Sequence, residues 1–145
     1  MTTILTQTVA RLLFLPAMAV AAATLVKGYV DTGDGFAAGV IAALAVLLQV
    51  VVFGLDEVER MLPLRAAPAV AATGLLVSLA VTFVPALLGR APLTHSPAPD
   101  QEVIHFGTLE VLTAVVFDIG VFLLVLGFAV TTIRLLAEAG QDRGR

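Results

Sequence analysis

Residues 36–55 read FAAGVIAALAVLLQVVVFGL, twenty positions of which Gln49 alone carries a polar side chain. An α-helix rises 1.5 Å per residue, so such a run reaches across a hydrocarbon core of about 30 Å. Outward from it the pattern repeats. Residues 9–27 are apolar apart from Arg11, Thr24 and the closing Lys27, and residues 67–88 and 109–137 form two further, largely apolar runs. The last exceeds the bilayer thickness, which implies a tilt or an end that projects into water. The expected fold is an all-α integral membrane protein: a single membrane domain over residues 1–145, with four transmembrane helices at about 9–27, 36–55, 67–88 and 109–137 and a polar tail at 138–145.

Composition agrees. Of 145 residues 59% are hydrophobic and 13% charged, and the mean hydropathy is +1.04, which marks the bilayer as solvent. A net charge of -3 with scattered basic residues carries no nucleic-acid footprint and no polybasic lipid patch. The absence of cysteine excludes disulfides, thiolate nucleophiles and iron-sulfur ligation. Tryptophan is absent and Tyr29 is the one tyrosine, so helix ends are read from charges, Gly and Pro.

The connections follow. Residues 29–35 collect Asp31, Gly33, Asp34 and Gly35, turn formers that suit a short link between antiparallel helices. The run Asp56-Glu57-Val58-Glu59-Arg60 cannot sit in lipid, and Pro63 and Pro68 interrupt a continuing helix, so residues 56–66 are expected as an irregular connection. Residues 90–108, with Pro92, Pro97, Pro99, Asp100, Glu102, His95 and His105, carry no helical apolar period and belong outside the hydrocarbon. Ala21-Ala22-Ala23 offers the competing reading of a signal peptide, but no basic residue precedes the apolar run. Six basic residues (Arg11, Arg60, Arg65, Arg134, Arg143, Arg145) fall on the side of both termini and two (Lys27, Arg90) on the other, so both termini are expected in the cytoplasm.

Asp118 is the position with most chemistry in it. Counted from the start of the fourth run it lies well inside the hydrocarbon, where a bare carboxylate costs about 2.5 to 3.5 kcal/mol. It is either a group that handles a proton or cation, or a buried carboxyl that fastens two helices. Thr113, Gly120, Gly127 and Arg134 share one stripe of that helix, and Asp118 lies about 160° from Gly120. A small-residue packing seam and a costly carboxyl thus occupy opposite sides, and both call for protein, which points to cover by other subunits. Gly35, Gly39 and Ala43, four residues apart, open the second helix to another close approach. The glycines at 33, 35 and 39 have the wrong spacing and context for a dinucleotide fingerprint.

His95 and His105, near Asp100 and Glu102, permit a proton-collecting mouth, or a metal site whose spacing matches no standard ligand set. Ser78 and Ser96 have no His-Asp arrangement around them, so no catalytic residues and no cofactor are expected. Gln49, Thr73, Thr82 and Thr131 suit hydrogen bonds between helices.

Four motifs, in order on a four-span layout, carry a resemblance. They are the Gly28 to Phe36 turn followed by Gly39, then Met61-Leu62-Pro63-Leu64, Leu93-Thr94-His95, and Phe117-Asp118-Ile119-Gly120-Val121. Over about residues 8–136 the chain resembles the MnhB (MrpB) component of the Mrp (Mnh) multisubunit sodium/proton antiporters. It departs from that family where Tyr29, Thr32 and Asp34 replace a His, a Pro and the middle Gly of the first turn. The resemblance implies an accessory subunit of a large complex in the inner cell membrane that exchanges Na+ for H+, with the other antiporter subunits and the lipid bilayer as partners. In that setting Asp118 would either line a cation or proton route at a boundary between subunits, with His95 as a second candidate for that path, or tie its helix to a neighbour; Gly35, Phe36, Gly39, Thr113, Gly120 and Gly127 are the expected helix-packing residues. The alternatives are a homologous subunit of a hydrogenase-type membrane arm and a purely structural scaffold.

Overall fold

The computed structural model describes residues 3–27, 33–87 and 113–142, which form helices with no strand among them. Helix α1 spans Ile4–Lys27 and starts five residues before the expected boundary. Thr3 caps it: the N–H of Thr6 donates to Thr3 Oγ1 at 3.3 Å and the N–H of Gln7 to the Thr3 carbonyl at 3.1 Å. The polar trio Thr6, Gln7 and Thr8 hides this first turn from an apolar count, yet Thr8 is satisfied within the helix, donating to the Ile4 carbonyl at 2.9 Å.

Helix α2 spans Asp34–Phe53 and stops at Gly54, whose φ of 86° suits glycine and ends the helical path. The chain then turns at once into α3, Leu55–Met61, where an irregular connection was expected. The charges there mark one face of a short amphipathic helix rather than a loop. Leu55 and Val58 are buried against Val46, Val50, Leu64, Ala67 and Val130, while Asp56, Glu57 and Arg60 face outward. A 3-10 turn, Leu64–Ala66, leads into α4, Ala67–Leu87. Pro68 therefore opens α4, because the first turn of a helix has no use for its missing N–H. Helix α5, Thr113–Asp142, runs on through most of the expected loose tail, where Arg134 Nη2 stands 2.8 Å from Glu138 Oε1 one turn on.

Four segments are long and apolar enough to cross a membrane: Ile4–Lys27, Asp34–Phe53, Leu64–Val84 and Ala114–Gly140. They stand in a row, α1 on α2, α2 on α5 and α5 on α4, and no described residue of α4 comes within 8 Å of α1 or α2, Cα to Cα. Helices α2 and α5 run parallel, because Gly35 meets Asp118 and Gly39 meets Phe122 and Val125. The pairing of Gly74 with Gly120 and of Gly127 with Ala67 and Ala71 makes α4 antiparallel to α5. Gln49, late in α2, meets Ala10, early in α1, and Glu59 of α3 meets Arg134, late in α5, so the start of α1, the end of α5 and α3 lie toward the same ends of the helices.

Candidate functional site

Asp118 is 4% exposed. Its Oδ2 accepts a hydrogen bond from the N–H of Gly33 at 2.9 Å. Gly33 is the N-cap of α2 and offers no side-chain oxygen to the unpaired N–H groups of that first turn. The Asp118 carboxylate accepts from the N–H of the N-cap residue itself, and the positive end of the α2 dipole favours its negative charge. Gly35 makes the approach possible, since a Cβ there would overlap the backbone carbonyl of Asp118. Asp118 thus stands level with the first turn of α2. At that end of α2 Lys27 Nζ lies 3.3 Å from Asp34 Oδ2, near enough to pair in charge but without hydrogen-bond alignment.

The opposite side of α5 carries the small-residue seam. A Cβ on Gly120 would run into Ser78 Oγ and the Gly74 carbonyl, and one on Gly127 into the backbone of Ala67 and Ala71. Both faces of α5 that call for protein are therefore covered within the chain, by α2 and by α4, and these faces need no other subunit. Gly35 and Gly39 receive α5, whereas Phe36 is 61% exposed among the described residues of this chain. Thr113 is the first residue of α5. His95 and His105 lie outside the described residues, as does the metal site their loop permits. Among the described residues no group of three or more His, Cys, Asp or Glu could hold a metal ion.

Two joints, at Gly74–Ser78 and at Glu59, escape the sequence reading, while a third is the interhelical bond expected of Gln49. Gly74 and Ser78 form the α4 half of the seam, and their spacing of four small residues was the available signal. The Ser78 hydroxyl is buried there without a hydrogen-bond partner among the described residues. Gln49 Nε2 donates to the Ala10 carbonyl at 2.9 Å and ties α2 to α1. Glu59, on α3, accepts from Arg134 Nε at 2.7 Å and from Arg65 Nε at 3.0 Å, which ties α3 to α5 across 75 residues of sequence. Burial pushes the Glu59 carboxyl up, but the hydrogen bonds and charges of Arg65 and Arg134 together outweigh it and hold the group below its ordinary value.

Four apolar helices in a row, with polar groups spent on the joints between them, define a multi-pass membrane protein built for packing. Residues 5–131 match the family described as the domain related to the MnhB subunit of Na+/H+ antiporters, and the chain belongs to that family. It is 32% identical over 112 residues to the Na(+)/H(+) antiporter B subunit of Bacillus subtilis (strain 168), covering 77% of each chain. The counterpart of the same description in Alkalihalophilus pseudofirmus is 33% identical over 111 residues, 77% of this chain and 76% of the other. A protein of Rhizobium meliloti described as a probable K(+)/H(+) antiporter A/B subunit is 34% identical over 147 residues, 92% of this chain but 14% of that one. The relatives belong to a transporter family rather than an enzyme family, and the chain resides in the cell membrane.

Proposed function

We propose that the chain is an accessory subunit of a multisubunit monovalent cation/proton antiporter, set in the membrane with both termini cytoplasmic and catalysing no reaction of its own. The observation that carries this reading is the family match over residues 5–131, supported by relatives described as antiporter B subunits across 77% of their length and of this chain's. Their descriptions divide between Na+ and K+, so the assignment is to the class of ion and not to one of them. In the Rhizobium meliloti relative a region like this chain shares one polypeptide with a much longer remainder, which supports a large antiporter polypeptide as direct neighbour.

The chain's own geometry favours a supporting role. Asp118 is engaged at the start of α2 and Glu59 is held by two guanidinium groups, so both acids serve to bind helices together. Asp118 and His95 remain the candidates for contact with the transported ion or proton where subunits meet. Two experiments test this. The chain reconstituted alone in liposomes is expected to show no cation-dependent proton flux, and robust flux would overturn the accessory assignment. In the assembled complex, Asp118→Asn with normal assembly and complete antiport would remove Asp118 from the ion path.

A further inference from the structure

We draw no further inference here: the strongest candidate, the side-chain cluster of Lys27, Asp34 and Asp118 about the start of α2, belongs to the site already described, and nothing at that helix terminus shows a ligand.

Discussion

Replacing Asp118 separates its two possible physical roles, because the alanine and asparagine variants remove different things. Asp118→Ala removes the part-buried hydrogen bond from the Gly33 N–H, worth about 0.5–1.5 kcal/mol, and takes an anion from the start of α2, worth about 0.3–1 kcal/mol more. Asp118→Asn keeps a carbonyl oxygen where Oδ2 stands and loses chiefly the second contribution, about 0.3–1 kcal/mol. The difference of about 0.5–1.5 kcal/mol corresponds to roughly 2- to 13-fold in the folding equilibrium. Helix content followed by circular dichroism as a denaturing detergent is titrated into mild-detergent micelles reads the order directly. The asparagine variant should unfold close to the wild type and the alanine variant well before it. Equal destabilisation of the two would show that charge, not the hydrogen bond, is what matters at Gly33. No change in either would show that the contact stabilises nothing.

The seam between α4 and α5 predicts opposite outcomes for two glycines. Gly127→Ala meets the backbone of Ala71 and should lower stability by about 1–3 kcal/mol, whereas Gly140→Ala meets nothing within 4 Å and should raise it by up to about 1 kcal/mol in the same titration. Gln49→Leu removes one interhelical hydrogen bond of the kind worth about 0.6 kcal/mol in membranes, so α1 should stay docked with only a small shift. The Glu59 joint carries a pH dependence of definite sign. Because the folded carboxyl is held below its ordinary value of 4.5, its contribution is complete above that pH and is lost as pH falls through the lowered value. Thermal unfolding compared with Glu59→Gln at pH 7 and at successively lower pH should show the gap between them closing in acid. A gap that widens would refute the pairing.

The four spans were legible because apolar length alone decides them: nothing but lipid suits residues 36–55. The stripe of Gly120 and Gly127 was legible too, since a seam of small residues has a fixed helical period. Local charge density misled at α3, where Asp56, Glu57, Glu59 and Arg60 look like a loop and seven residues are too few for a period to emerge. Polar residues misled again at the start of α1, where Thr6, Gln7 and Thr8 conceal a capped turn. Glu59 and Arg134 lie 75 residues apart, and no pattern within either helix says that they meet.

What the sequence could not yield is the order of the row, and the order explains where the glycines lie. Helix α1 has α2 as its main neighbour, contains no glycine, and touches with small side chains such as Ala10 and Ala21. Helix α5 has large neighbours on two sides and needs two close approaches: its own Gly120 and Gly127 face α4, while α2 supplies Gly35 and Gly39 for the other. Because α2 brings glycines to that contact, α5 is free to place a bulky charged residue there, and Asp118 fits beside Gly33 for that reason. Between membrane helices there is little hydrophobic driving force, so close backbone contact and satisfied polar groups must hold the row. The buried carboxylate and the glycines around it are thus two halves of one joint, and enlarging Gly35 should displace Asp118 as surely as mutating Asp118 itself.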